Sequence, residues 1–483
     1  MLKKAFFTNS SGIFFSRIFG FLRDLLMANI LGAGMFSDIF FAAFKFPNLF
    51  RRIFGEGAFV QSFLPSLISS KRKGMFIVST FFIFLFSVLL LSLCVYFFAP
   101  FFTKLLAYGF SREQLALTEP IVVINFWYLG LVFVSTFFST LLQYKNIFWV
   151  NAYNTVLLNV FMILSLFLAR DLEKMQIVYF LSYGVLCGGV AQILLHFYPL
   201  YQARYFRLFI LGCKDLLALF QGRLKAYKKA EFFSSTKGFF KQFFPALFGS
   251  STAQIAAFLD TILASFLATG SISYLYYANR IFQLPLAIFA IAISTALFPT
   301  IARAIKNLEE HKARDLMKKA FWVLLILLSL CVCGGIVLKN EVIYVLFERG
   351  KFLRQDTLIA ANVFALYLLG LVPFGLAKVF ALWLFAHKKQ GVVALCSGIS
   401  LLVGLLCSLI LMQYIGVYGL ALASSISGLV LFSFTVRGFG FAHFLIILRN
   451  KKGFLLLFLL LGFEFLLLEG GQMLMRDLGF FII

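Results

Sequence analysis

Hydrophobic runs of roughly 18 residues or more recur along the whole chain, separated by short polar segments, and each is about as long as a helix crossing a bilayer core. None shows the roughly ten-residue alternation of a membrane β-barrel strand. The pattern predicts an all-α polytopic membrane protein with about thirteen transmembrane helices. They fall near 5–33, 35–69, 75–102, 119–144, 147–169, 175–200, 240–268, 272–302, 317–338, 357–386, 391–413, 416–436 and 453–469. The first run holds two arginines and lacks a small-residue cleavage site, which reads as a retained span rather than a signal peptide.

The first two runs break the apolar pattern. Between Ser16 and Pro65 they carry Arg17, Arg23, Asp24, Asp38, Lys45, Arg51, Arg52 and Glu56. An isolated arginine at the centre of a membrane helix costs roughly 2.5–3.5 kcal/mol, so four of them cost about 10–14 kcal/mol before any pairing. At 100° per residue, Asp38, Lys45, Arg52 and Glu56 lie within about 40° of one another, and Arg17, Gly20, Arg23 and Asp24 within about 120°. Both faces must point into protein or water. Pro47 and Pro65, with Gly55 and Gly57 near Glu56, predict a bent second span.

Composition agrees with the membrane reading: 62% of the 483 residues are hydrophobic and 13% charged, about half the charge of a soluble globular chain. The net charge of +24 lies mostly in the segments at 70–74, 201–239, 303–316, 387–390 and 437–452. That spacing assigns it to orientation, with a cytoplasmic N-terminus, and not to nucleic acid. The longest connection, 201–239, is basic and carries Leu216-Leu217-Ala218-Leu219-Phe220, the pattern of an amphipathic helix on the cytoplasmic face. It separates an N-terminal lobe of six spans (1–200) from a C-terminal lobe of six (240–436), with 437–483 adding one further span. At an offset of 236, Asp24 pairs with Asp260, Ala28 with Ala264, Gly34 with Gly270, Ser37 with Ser273, Phe41 with Tyr277 and Ala42 with Ala278. Six spans separate the copies, so the two lobes are expected to be pseudo-symmetric parallel repeats. The seven cysteines, mostly inside apolar runs, show no metal-ligand spacing. The 67 phenylalanines scatter over every run, as coding bias alone would place them. Four isolated histidines, without a catalytic motif or phosphate-cradling loop, argue against an enzyme and against a cofactor.

The cations of the spans, Arg17, Arg23, Lys45, Arg51, Arg52, Arg280 and Lys378, outnumber the acids Asp24, Asp38, Glu56, Asp260 and Glu464. Internal salt bridges such as Arg23 with Asp38 or Arg52 with Glu56 cannot balance them all. Excess cations in a low-dielectric interior call for an anion, and the arginine fork matches phosphate oxygens bidentately. This predicts a central cavity for a phosphorylated ligand. Asp260 reads as a cation or proton site, as a salt-bridge member, or as neither.

The residues Ser16-Arg17-Ile18-Phe19-Gly20-Phe21-Leu22-Arg23-Asp24, Gly32-Ala33-Gly34, Asp38, Phe44-Lys45-Phe46-Pro47-Asn48-Leu49-Phe50-Arg51-Arg52 and Glu56-Gly57-Ala58-Phe59 resemble the signature of the MurJ (MviN) family, lipid II flippases of the MOP exporter superfamily. The resemblance continues from Ala253 to Pro299. It implies two six-span lobes around a cationic cavity that carries the lipid II headgroup from the cytoplasmic to the periplasmic leaflet of the bacterial inner membrane by alternating access. It implies substrate-binding roles for Arg17, Arg23, Arg52 and Arg280, and support or gating roles for Asp24, Asp38, Lys45, Arg51 and Glu56. Asp260 resembles the acid on the seventh span at which some members bind sodium. The implied partners are lipid II, membrane lipids and cell-wall synthesis proteins. A MOP-type exporter of another lipid-linked oligosaccharide, or of a drug, shares the same architecture.

Overall fold

The computed structural model describes the backbone of residues 2–55 and 58–477, and the side chains of 11–12, 14–50, 59–247 and 254–473. Within these residues the chain is helical and forms no strand. It divides into two compact units, residues 1–262 and 263–483. The first contains α1 (Leu2–Leu31), α2 (Met35–Gly55), α3 (Ala58–Ser69), α4 (Lys73–Phe97), α5 (Ala99–Leu106), α6 (Arg112–Tyr144), α7 (Trp149–Ala169), α8 (Lys174–Gln202), α9 (Tyr205–Phe220) and nearly all of α10 (Ala226–Ala264).

Local signals explain where these helices start and stop. α1 ends at Gly32, whose φ of 72° is the left-handed conformation that terminates a helix without a Cβ clash. The Ser37 hydroxyl accepts from the Gly34 amide (2.9 Å) and donates to the Gly32 carbonyl (2.9 Å), which fastens the turn into α2. α6 opens with a reciprocal cap: the Gln114 amide donates to Ser111 Oγ at 3.2 Å and the Ser111 amide to Gln114 Oε1 at 2.9 Å.

Lipid tails are as apolar as leucine, so membrane helices are joined by close packing and hydrogen bonds. Gly184 and Gly188, one turn apart on α8, let it approach α7: a Cβ on Gly188 would lie 3.1 Å from Leu158 Cα. Buried polar side chains then link α6, α7 and α8. Tyr128 donates to Gln192 Oε1 (3.2 Å), Gln192 donates to the Asn154 carbonyl (2.9 Å), and Asn154 meets Ser135 (2.8 Å). His196 lies between Ser139 Oγ (2.6 Å, at Nε2) and the Gln192 carbonyl (2.6 Å, at Nδ1). A carbonyl only accepts, so Nδ1 carries the proton and Nε2 accepts from the serine.

Many of the phenylalanines are not scattered in space. Phe59 and Phe63 of α3, Phe76 and Phe84 of α4, Phe133 and Phe137 of α6, and Phe239 and Phe243 of α10 form one ring cluster, with Phe59 and Phe63 5.1 Å apart and Phe84 and Phe243 5.2 Å apart. These rings tie the start of α10 to the first unit. The span that the sequence assigns to the second lobe from 240 onward therefore stays with the first unit as far as Ile262.

The second unit continues with α11 (Ser271–Pro285), a π-helical stretch (Leu286–Ile291), α12 (Ala292–Lys306), α13 (Glu310–Val337), α14 (Lys339–Phe347), α15 (Arg354–Leu368), α16 (Leu371–Ala386), α17 (Gln390–Ile415), α18 (Val417–Phe439), α19 (Phe441–Leu448) and α20 (Lys451–Asp477). Pro285 has no amide hydrogen to donate, and the π stretch that follows absorbs the defect without ending the helix. Among the described residues, ten helical segments are long and apolar enough to cross a membrane. The three other expected spans correspond to α1, to α2 with α3, and to α10. α1 and α2 hold the charged residues, so length and apolarity alone do not reach the count of thirteen. Of the matched positions, Ala28 and Ala264, Ser37 and Ser273, Phe41 and Tyr277, and Ala42 and Ala278 are all buried, whereas Asp24 is buried and Asp260 half-buried, and Gly34 half-buried and Gly270 buried.

α9 docks on α4 where two glycines meet. A Cβ on Gly212 would fall 2.5 Å from the Gly74 carbonyl carbon, and Phe81 and Phe209 pack beside it, their centroids 5.4 Å apart. The Tyr205 hydroxyl donates to the Leu141 carbonyl at 2.7 Å, and burial pushes it above the usual tyrosine range. Gly212→Val forces backbone apart, where overpacking costs about 1–3 kcal/mol. We expect limited proteolysis to cut between 201 and 239 faster in this variant than in the parent chain, whereas Gly222→Ala, in open space but at φ 70°, should loosen only its own turn.

Candidate functional site

The charges of the first unit meet partners close at hand. Arg23, in the last third of α1, is buried and lies in a clasp: Nη2 is 2.6 Å and Nε 3.0 Å from Asp24 Oδ1, and Nη1 donates to Asn159 Oδ1 on α7 at 3.0 Å. Met162 Sδ stands 3.7 Å from the same Nη1. Asn159 is itself oriented, since its amide nitrogen donates to the carbonyls of Thr155 (3.1 Å) and Ser16 (3.4 Å). α1 reaches α7 closely enough for this because Gly12 sits on Ala152. Arg17, on the same helix, is exposed.

On α2, Asp38 is buried in the first turn, where the positive end of the helix dipole and the unsatisfied amides favour a carboxylate. Two turns on, Lys45 is half-buried, and its positive charge acts on Asp260 near the end of α10. The neighbouring Phe46 and Phe258 rings, 5.9 Å apart, bring those two helices together at this level. The side chains of Arg51, Arg52 and Glu56, and with them any pairing of Arg52 with Glu56, lie outside the described residues.

In the second unit Arg280 lies half-buried on α11, with Asn279 accepting from exposed Gln283 one turn on (2.5 Å). The first turn of α11 is anchored by Tyr274, whose hydroxyl donates to Asp356 Oδ1 at 2.6 Å, while Asp356 Oδ2 accepts from the Leu353 amide at 2.8 Å and so caps α15. Lys378 lies half-buried on α16. Glu464, on α20, fills the space above Gly334 of α13.

Asn159 is the site residue that sequence reasoning missed. Its signal was an amide inside the apolar run Thr155-Val156-Leu157-Leu158-Asn159-Val160-Phe161, and a buried amide in a span has to face a polar partner. Arg23 forms an ion pair with the adjacent Asp24, on the same helix and within reach without any helix crossing. The arrangement holds one guanidinium in a fixed orientation, leaves a second arginine exposed on the same helix, and keeps a lysine and an acid under each other's influence between α2 and α10.

Residues 27–479 match the family model described as "Lipid II flippase MurJ". Two relatives from Helicobacter pylori, each described as "Probable lipid II flippase MurJ", are 54% identical over 451 and 443 residues, which is 92% of this chain and 96% of theirs. One from Buchnera aphidicola with the same description is 34% identical over 432 residues, covering 86% of this chain and 80% of its own. Among solved structures, a lipid II flippase MurJ in an inward closed conformation superimposes with a TM-score of 0.76 at 26% identity, over 97% of this chain and 99% of that one. A multidrug resistance MATE family transporter of the MOP superfamily, facing inward, gives 0.72 at 13% identity over 90% and 96%, a likeness of fold alone. Matched over almost its whole length by the family model and by relatives from several bacteria, the chain belongs to the MurJ family.

Proposed function

We propose that the chain carries lipid II, the undecaprenyl-diphosphate-linked peptidoglycan precursor, from the cytoplasmic to the periplasmic leaflet of the bacterial inner membrane, its N-terminus cytoplasmic. The observation that carries this reading is the 54% identity, across 92% of the chain, to relatives described as lipid II flippases. The chemistry of the spans supports it. A diphosphate crossing a low-dielectric core needs cations that are already there. Arg17, Arg23, Arg52 and Arg280 are assigned to that headgroup, with Asp24, Asp38, Lys45, Arg51 and Glu56 supporting and gating it. The two lobes rock between an inward and an outward state, the isoprenoid tail stays in lipid, and no bond of the substrate is made or broken. Cell-wall synthesis proteins, which consume lipid II, are the protein partners this role implies.

Export of a drug is the weaker reading. The multidrug transporters share the fold at 13% identity, and spans rich in arginine repel a lipophilic cation. Proteoliposomes offered labelled lipid II, a lipid-linked O-antigen precursor and a drug cation decide between the cargoes: only the first is expected to cross, and transport of the drug cation in its place overturns the assignment.

Arg23→Lys keeps the charge but loses the fork that meets Asp24 and Asn159 together. Lipid II transport should fall at least about tenfold, which corresponds to about 1.4 kcal/mol; transport at the parent rate would remove Arg23 from the substrate site. Asn159→Ala strips one guanidinium N–H of its acceptor, at a cost of roughly 1–3 kcal/mol. A lower unfolding temperature together with slower transport is expected, and parental values of both would show that the clasp is not needed.

Asp260, under the charge of Lys45, is the residue we assign to a coupling cation or proton. In Asp260→Asn, lipid II binding should persist while the response of transport to an imposed sodium or proton gradient disappears. An unchanged gradient response would exclude an ion site there.

A further inference from the structure

The segment 201–239 carries a surface to which the flippase assignment gives no role. On α9, Phe206, Ile210, Leu217 and Phe220 are 41%, 59%, 59% and 79% exposed. At 100° per residue they form a single stripe about 80° wide. Tyr205 and Gly212, buried against α6 and α4, lie on a different face about 110° away. Phe206 also stacks on Phe197 of α8, their centroids 6.2 Å apart, but Ile210, Leu217 and Phe220 stand clear of the face that docks α9 on the bundle, and an exposed apolar stripe of this kind marks an interaction surface.

The charges around it are sorted by sign. The segment 201–239 contains two acids, Asp215 and Glu231, and both turn toward the bundle. Asp215 lies 3.9 Å from Arg72, and Glu231 lies 3.6 Å from Arg72 and 3.6 Å from Lys71, at the start of α4. Tyr227 adds its ring below the Arg72 guanidinium, 5.8 Å from the centroid. Of the eight cations in the segment, Arg207 and Lys214 lie about 80–100° round the helix from the stripe, and Arg223, Lys225, Lys228 and Lys229 just beyond its end. None of these six forms an ion pair among the described residues, and all but Lys228, which is half-buried, are exposed. A polar helix in water would intersperse its signs; here acids face inward and cations outward, beside an apolar stripe.

We propose that α9 and the basic turn after it bind anionic phospholipid, with the stripe among the acyl chains and the six cations at the headgroups. α9 sits at the membrane face where α4 begins and α6 ends, since Tyr205 bonds the Leu141 carbonyl and Asp215 meets Arg72. That is the depth at which an amphipathic helix buries its apolar face at the boundary of headgroup and acyl chain. Cations near an anionic surface each contribute about 1 kcal/mol, screened by salt. Neutral lipid satisfies the stripe but not the cations, so charge is what selects the ligand. The inference rests on the membrane-spanning reading of the chain but not on which lipid it transports.

The test follows hydrogen exchange of residues 205–220 in the full-length protein, reconstituted in vesicles of phosphatidylcholine alone or of phosphatidylcholine with phosphatidylglycerol. We expect exchange about tenfold slower with phosphatidylglycerol, reverting at high salt. The effect should be lost when Arg207, Lys214, Arg223, Lys225, Lys228 and Lys229 are all changed to glutamine. None of these positions lies in the docked face of α9, and the salt arm needs no mutation. Equal exchange in both vesicles, or a phosphatidylglycerol effect that survives the six substitutions and high salt, overturns the proposal. So does protection by lipid II in phosphatidylcholine where phosphatidylglycerol gives none, which would make the surface a substrate-capture site. Exchange is read without any transport step, so failure of this proposal and failure of the flippase assignment are told apart.

Discussion

A charge inside a membrane protein must find its counterpart within a few ångströms, and that constraint explains more of this structure than any other. Arg23 would be untenable alone in a span. Asp24 sits beside it in sequence, and α7 comes close enough at Gly12 and Ala152 for Asn159 to reach the remaining nitrogen. Asp38 answers the same constraint in part by standing in the first turn of α2, where the helix presents free amides. At the level of Lys45 and Asp260, the Phe46 and Phe258 rings bring the end of α10 against α2. Helix positions that look like packing choices are in part solutions to a charge problem.

What the charges do not decide is settled by shape. With no hydrophobic force between helices in lipid, cohesion comes from contact area and buried hydrogen bonds. The phenylalanine cluster supplies area where α3, α4, α6 and α10 meet. The chain from Tyr128 through Gln192 to Asn154 supplies hydrogen bonds where α6, α7 and α8 meet. Glycines are placed where backbones cross. The same logic holds α9 to α4 and leaves its apolar stripe facing outward.

The helical class, nearly all the spans and the charged residues of α1 and α2 were legible in the sequence, because apolar run length and helical periodicity are local properties. Periodicity says which face of a helix is polar but not which helix it meets. Arg23 and Asp24 were both visible, yet Asn159, 136 positions away along the chain, was an ordinary amide until α7 was placed against α1. Asp260 lacked a visible partner for the same reason: Lys45 lies more than 200 residues earlier. The phenylalanines read as compositional noise because their order in the cluster follows the packing of four helices rather than any spacing along one. The division at Ile262, inside α10, is a property of contacts, and a basic loop gave no sign of it.

For a carrier, the clasp on Arg23 matters most when the site is empty. A bare guanidinium in a low-dielectric site would be costly without ligand and would hold a diphosphate too tightly to let it go, and a carrier has to release its cargo at the far side. Asp24 and Asn159 lower the energy of the empty state, so an arriving anion replaces existing interactions instead of meeting an uncompensated charge. Net affinity is then a difference between two satisfied states. Small differences of that kind are reversed by a few kcal/mol of conformational bias. On the flippase reading, the acids among the arginines are what make the arginines usable in both directions of the cycle: they keep the unloaded protein stable in the membrane while leaving enough cation, on Arg17 and its partners, to favour a diphosphate over water.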